Sequence, residues 1–98
     1  MPEMRFLIRW PDGTAENCYS PSLVIKDFLS PGQSYPLDDF VGRSRAALDI
    51  AGDRVEAKYG YRCSRAVATL ARIEKVAASF ADAPNARVIV EAFEELGG

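Results

Sequence analysis

The side chains best suited to chemistry in this sequence are a cysteine and its neighbouring arginines. Cys63 directly precedes a predicted helix, and the free amides at a helix N-terminus stabilise a thiolate. Arg62 and Arg65 lie close to it in sequence and would act in the same direction. The chain contains no histidine, which excludes a Cys-His pair, a Ser-His-Asp triad and a histidine metal site within it. Cys63 is therefore a weak nucleophile candidate, and a partly buried structural thiol is the favoured interpretation.

The number and spacing of the cysteines also indicate the cellular compartment and the capacity to bind a metal ion. Cys18 and Cys63 form no CxxC pair, and their wide separation does not indicate a disulfide framework. Two distant cysteines and surface carboxylates match no dedicated metal site. The N-terminal residues lack signal-peptide features, and no apolar run approaches the roughly 20 residues of a membrane span. We expect two free thiols in the cytoplasm, no bound metal and no membrane.

A basic stretch with tyrosines at its centre is the second group of interest. Residues 43–75 hold eight basic and four acidic side chains, in a chain whose formal net charge is −2. Lys58, Tyr59 and Tyr61 lie in this stretch, and basic side chains with aromatic neighbours can hold phosphates and stack bases. The sequence pI of about 5.1 is far below that of a typical nucleic-acid domain. A solvated helical face is the favoured interpretation, and a nucleic-acid-binding module is kept as a disfavoured alternative.

Three strands are predicted around these residues, and a fourth segment is ambiguous. Met4 to Trp10 alternates in polarity, the segment 11–14 is a Pro-Asp-Gly-Thr turn, and Ala15 to Tyr19 is again extended, which predicts a β-hairpin. A Val- and Ile-rich segment from Arg87 to Phe93 predicts a further strand, expected beside the first. Residues 21–29 fit either a strand or a short helix that Ser20 would cap.

Three helices are predicted with better-defined ends. The first begins at Pro36 and stops at Gly52, and a short one follows over residues 53–59, with Gly60 as its left-handed cap. The strongest runs from Ser64 to Phe80. Its apolar residues recur at helical spacing, namely Ala66, Leu70, Ile73, Ala77 and Phe80.

These elements predict an α+β fold in a single domain over residues 1–98, with frayed ends at 1–3 and 94–98. The expected architecture is a three-stranded antiparallel sheet in the order 2-1-3, covered on one face by three to four helices.

Several segments resemble a small bacterial protein family that is named for a nitrogen-starvation response. They include the Arg-Trp-Pro-Asp-Gly turn at 9–13, the Cys-Tyr-Ser-Pro-Ser segment at 18–22 and the Lys-Tyr-Gly segment at 58–60 with the Cys-Ser pair at 63–64. The resemblance covers roughly residues 4 to 93. It implies that the protein is encoded in a gene cluster that also encodes a nitrilase and is linked to nitrogen scavenging from nitriles or cyanide. The resemblance implies no catalytic residues.

The resemblance and the limited chemical inventory together favour a non-enzymatic accessory protein with no cofactor. Its expected partner is a protein from the same gene cluster, and a homodimer is left open. Aromatic and arginine side chains dominate the binding energy of protein interfaces. The candidate partner-binding residues are Trp10, Asp12, Tyr19, Ser20, Ser22, Arg43, Arg45, Lys58, Tyr59 and Tyr61. For Trp10, a core position beside Phe6 and Ile8 is the favoured alternative, because the strand alternation points it inward. A thiol-dependent enzyme or enzyme subunit that uses Cys63 remains the alternative function.

Overall fold

Four antiparallel strands form one sheet in this protein, of which a computed structural model describes residues 2–96. The strands are β1 (Met4–Arg9), β2 (Ala15–Ser20), β3 (Ser34–Pro36) and β4 (Arg87–Glu95), in the order β2-β1-β4-β3. Met1, Gly97 and Gly98, which belong to the ends predicted to fray, lie outside the described residues.

The hairpin of β1 and β2 forms as the sequence predicts. Gly13 adopts a φ of 89°, and its N–H donates to the carbonyl of Trp10 at 2.8 Å, which closes the turn. The register places Phe6 opposite Cys18, and both side chains are buried. The C-terminal strand pairs with β1 on its other side, also as predicted, and places Phe93 opposite Phe6.

The predicted three-stranded sheet in the order 2-1-3 is wrong, because the structure has a fourth strand at the edge next to β4. Residues Ser34–Pro36 pair antiparallel with β4, with Tyr35 opposite Val88. Three residues are too few to show the alternation of a strand. The sequence also predicts that a helix begins at Pro36, which is instead the last residue of this strand. Hydrogen bonds of 2.7 Å and 2.9 Å link Gly32 and Gln33 to Val90 and extend this contact. The strand is therefore defined by its partner and not by its own sequence.

The predicted three to four helices are also corrected, because residues 2–96 form two α-helices and a short 3₁₀ helix. The helices are α1 (Leu37–Tyr59), α2 (Ser64–Ala78) and the 3₁₀ helix Leu23–Asp27. Ser22, and not Ser20, caps the 3₁₀ helix by accepting the amide of Val24. This turn resolves the strand-or-helix alternative for residues 21–29.

One long α1 replaces the two predicted helices because Gly52 lies within it. The buried face of α1 continues through that position, and its members are Phe40, Ser44, Ala47, Leu48, Ala51, Gly52 and Val55. A glycine in a helix interior costs about 1 kcal/mol relative to alanine, which is less than the gain from packing this face. The chain then reverses at Gly60, whose φ of 83° is the predicted left-handed cap.

The core lies between the sheet and the helices. Met4, Phe6 and Ile8 of β1 are fully buried, whereas Arg5 and Arg9 on the opposite face are exposed. Ile73 from α2 and Phe40 from α1 are also fully buried against this cluster. The helices therefore cover one face of the sheet, as the sequence predicts.

Candidate functional site

Tyrosine side chains meet in an open depression of about 500 Å³, which we call the tyrosine cleft. It is lined by Glu3, Tyr19, Pro21, Val55, Tyr59, Tyr61, Arg62, Cys63, Ser64 and Arg65. Three predicted partner-binding residues, Tyr19, Tyr59 and Tyr61, are therefore neighbours, together with the candidate thiol of Cys63.

The tyrosine cleft exists because α1 ends where α2 begins. Tyr59 is the last residue of α1, and the left-handed Gly60 turns the chain so that Tyr61 follows on the same side. The two rings lie 6.2 Å apart between centroids, and the residues are 50% and 66% exposed. Lys58 Nζ lies 5.4 Å from the centroid of the Tyr59 ring. Large aromatic groups are therefore presented to solvent next to a cation.

Tyr19 of β2 also lines the cleft. Its hydroxyl donates to Glu3 Oε1 at 2.7 Å, and the guanidinium carbon of Arg65 lies 3.7 Å from the centroid of its ring. Burial, followed by the hydrogen bond and negative charge of Glu3, raises the pKa of Tyr19 to about 12. The Tyr19 hydroxyl is therefore protonated at neutral pH, and its ring supports the arginine by a cation–π contact.

Arg62 also lines the cleft and is held on the surface of α1. Its Nη1 donates to Asp53 Oδ1 at 2.7 Å, and its guanidinium lies against the backbone of Gly52. That ion pair raises the pKa of Arg62. The charge of Arg62 is thus already matched by a carboxylate, whereas Arg65 is engaged with an aromatic ring.

Cys63 is the N-cap residue of α2, as its place before the predicted helix suggested. It is half-buried, and its side chain makes no capping hydrogen bond. Cys18 is buried on β2, and desolvation, followed by the nearby charge of Glu16, raises its pKa to about 12. Of the two thiols, Cys63 is the one with access to solvent and to the tyrosine cleft.

Trp10 lies in the core, as the strand alternation indicated, and away from the cleft. It is 3% exposed, stacks on Phe80 at 6.2 Å between ring centroids and meets Phe40 edge-on at 5.9 Å. Its indole N–H donates to Glu16 Oε1 at 3.0 Å, and Arg72 donates to the other oxygen of that carboxylate at 3.2 Å. These contacts give Trp10 a packing role that links the hairpin to both helices.

The two candidate serines are buried, Ser20 as the last residue of β2 and Ser22 in the turn that follows. Ser20 Oγ donates to the carbonyl of Ser22 at 2.7 Å, and Arg54 Nη1 donates to Ser22 Oγ at 3.0 Å. Asp12 is exposed in the hairpin turn and accepts the amide of Thr14 at 2.9 Å, which lowers the pKa of its carboxyl. These three side chains stabilise local backbone and do not reach the cleft.

The remaining candidates, Arg43 and Arg45, lie on α1 far along the helix from the cleft. Arg43 donates to the carbonyl of Phe28 at 2.8 Å and to Asp39 at 3.0 Å. Arg45 donates to Glu74 on α2 at 2.7 Å. Both arginines therefore connect elements of the fold.

The predicted partner-binding set includes three of the ten residues that line the cleft, and among those it leaves out, Glu3 and Arg65 both contact Tyr19. Glu3 is distant from the other lining residues in sequence, and no pattern could have placed it there. The sequence indicates Arg65 only as a neighbour of Cys63. Its position four residues after Tyr61 is the signal that could have placed it at the same site.

Residues 2–96 contain neither a metal-binding cluster nor a membrane-spanning helix. No three histidine, cysteine or carboxylate side chains in that range are grouped so that they could hold a metal ion. None of the helices in that range has the length and hydropathy needed to cross a membrane.

Comparison with known proteins gives one result. A family model described as "nitrogen starvation-induced protein NitG" matches residues 5–93, which include every strand and helix of the fold except the ends of β1 and β4. No curated protein and no solved structure matches the chain significantly.

Proposed function

Because this chain belongs to the family of nitrogen starvation-induced NitG proteins, we propose that it is a non-enzymatic accessory protein that binds a protein partner during nitrogen starvation. The partner we propose is a product of the same bacterial gene cluster, in a pathway that scavenges nitrogen from nitriles or cyanide. The binding surface is the tyrosine cleft, and the compartment is the cytoplasm, which suits two free thiols.

The observation that carries this proposal is the exposure of Tyr59 and Tyr61 beside each other at the cleft. Exposed large aromatic groups are costly to leave in water, and tyrosine is enriched among the residues that contribute most to protein interfaces. The cleft also offers the cations of Lys58 and Arg65 around the rings. A mixed aromatic and basic surface of this kind favours binding over catalysis.

The test is direct binding between this protein and each purified product of the neighbouring genes. We expect one of them to bind, and we expect Tyr61→Ala to weaken that complex by at least about tenfold, the usual effect of truncating a central aromatic contact. Val67→Ala is the matched control, because Val67 is 56% exposed on α2 but does not line the cleft. Binding that is equally strong in both variants would contradict the proposed surface.

Thiol chemistry at Cys63 is the second candidate, and its support is the position of this half-buried thiol in the cleft. A partner subunit or a carboxylate would have to supply the base. Cys63→Ser separates the two functions. We expect this variant to keep its partner binding and to support growth on a limiting nitrogen source. Loss of growth with Cys63→Ser, but not with Cys18→Ser, would favour the thiol enzyme.

A further inference from the structure

The tyrosine cleft has an arginine whose hydrogen-bonding capacity is unused. We propose that Arg65, supported on the ring of Tyr19, binds a carboxylate of an acidic segment in the protein partner. This inference rests on the proposed function and specifies the chemistry of the partner.

Most arginine side chains in residues 2–96 have an ion-pair or hydrogen-bond partner, and Arg5 and Arg65 are the exceptions. Of these two, only Arg65 lines the tyrosine cleft. Arg9, Arg43, Arg45, Arg62 and Arg72 each form an ion pair with a carboxylate of this chain. The guanidinium of Arg65 forms no ion pair and no hydrogen bond with any residue in the range 2–96, and its one described partner is the ring of Tyr19, whose centroid lies 3.7 Å away. Five N–H donors around the guanidinium are therefore available for a ligand.

The contact with Tyr19 orders the Arg65 side chain in a geometry that can bind a planar anion. A ring under the guanidinium restricts the side chain, so less rotamer freedom is lost when the N–H groups bind. The edges of the guanidinium remain open, and two parallel N–H groups match the two oxygens of a carboxylate. Tyr19 itself is fixed by its hydrogen bond to Glu3 at 2.7 Å.

The charges that line the cleft favour an acidic segment over a basic one. Two arginines and one glutamate line it, and Lys58 lies beside it on the Tyr59 ring. Arg62 is matched by Asp53, whereas Glu3 keeps its negative charge when it accepts the neutral hydroxyl of Tyr19, so one carboxylate stands against the two cations of Arg65 and Lys58. The unmatched charge at the cleft is therefore positive, and the exposed rings of Tyr59 and Tyr61 can contact the apolar atoms of a bound peptide.

The probe for this proposal is a short peptide of glutamate and tyrosine, added at low salt to the isotopically labelled full chain. Amide signals are followed by NMR. We expect the shifts to concentrate at residues 61–65 and at Tyr19, and to shrink as salt is raised. The same peptide with lysine in place of glutamate should leave these signals unchanged.

Variants of Arg65 decide whether its guanidinium is the cause. Arg65→Ala should weaken binding of the acidic peptide by at least about tenfold, and Arg65→Lys should weaken it less, because lysine keeps the charge and loses the two-pronged geometry. Lys75→Ala is the matched control: Lys75 is also an exposed cation on α2, with no ion pair to any residue in the range 2–96, and it lies outside the cleft. Unshifted core signals in each spectrum show that the variant is folded.

Three results would overturn the inference. One is equal binding of the acidic peptide to Arg65→Ala and to the parent protein. Another is tighter binding of a short oligothymidylate to the same residues, which would favour nucleic acid as the ligand. The third is a neighbouring-gene partner whose binding depends on Tyr61 and is unaffected by Arg65→Ala, in which case the proposed function stands and this inference fails. If the acidic peptide binds through Arg65 but no neighbouring-gene product binds, this inference stands and the proposed function fails.

Discussion

The guanidinium of Arg62 lies against the backbone of Gly52, so that a Cβ atom built at position 52 would come within 2.5 Å of Arg62 Nη2. Arg62 is held there by its ion pair with Asp53, one residue further along α1. This contact joins the loop that carries Tyr61 and Cys63 to the side of α1. It explains why position 52, inside the helix, is occupied by a residue without a side chain.

Alanine at the two helical glycines of α1 should therefore have different effects. Gly42→Ala meets no atom within 4 Å and should stabilise the protein by about 0.5–1 kcal/mol through helix propensity. Gly52→Ala should stabilise less, because Arg62 must move away. In an Arg62→Ala background the full gain at position 52 should return. Urea unfolding of the parent protein, the three single variants and the Gly52→Ala/Arg62→Ala double variant measures this, and an equal effect of Gly52→Ala in both backgrounds would contradict it.

Truncation of α2 side chains should follow their burial. Ile73 is fully buried, so Ile73→Ala should cost about 2–4 kcal/mol of unfolding free energy. Leu70 is only half-buried, and Leu70→Ala should cost less, although both residues belong to the same predicted apolar face. Arg72→Ala should change stability by at most about 1 kcal/mol, because its ion pair with Glu16 is largely exposed on the arginine side. Similar losses for all three variants would show that α2 packs through a different face.

The two thiols should react in a fixed order. Cys18 is 4% exposed and its pKa is raised to about 12, so iodoacetamide at neutral pH should not modify it until the protein unfolds. Cys63 is half-buried and should be modified first, at a rate slower than that of a free thiol. Peptide mass mapping over time gives both rates. Early labelling of Cys18 in folded protein would contradict the core position of β2.

Alkaline pH should destabilise the protein. Folding raises the pKa of Cys18 from an ordinary 9.0 to about 12 and that of Tyr19 from 10.0 to about 12. The unfolded chain therefore loses these protons at lower pH than the folded protein. Stability from both groups is complete below pH 9 and is lost as pH rises through about 12. Cys18→Ala and Tyr19→Phe should each flatten the fall in unfolding free energy above pH 9, as measured by urea titration at several pH values. If the unfolding free energy of these variants falls with pH as steeply as that of the parent protein, the raised pKa values of Cys18 and Tyr19 are not the cause.

The strongly periodic parts of the chain could be predicted from sequence because their contacts are local. The alternation in β1, the Gly13 turn, the Gly60 cap and the apolar spacing in α2 all depend on neighbours a few residues away, and each is found in the structure. The core position of Trp10 followed from the same alternation. The family resemblance noted from short segments agrees with the match of the NitG family model.

Tertiary structure decided the features that depend on residues far apart in sequence. Strand β3 exists through hydrogen bonds to β4, which lies more than fifty residues later, and a three-residue segment carries no pattern of its own. Gly52 stays helical because packing of the α1 face outweighs a local propensity cost. The tyrosine cleft combines the N-terminus, β2, the end of α1 and the start of α2, so no single window of sequence could reveal that Arg65 would lie on the ring of Tyr19. Local preferences identify elements, whereas the burial of apolar surface between those elements determines which distant side chains become neighbours.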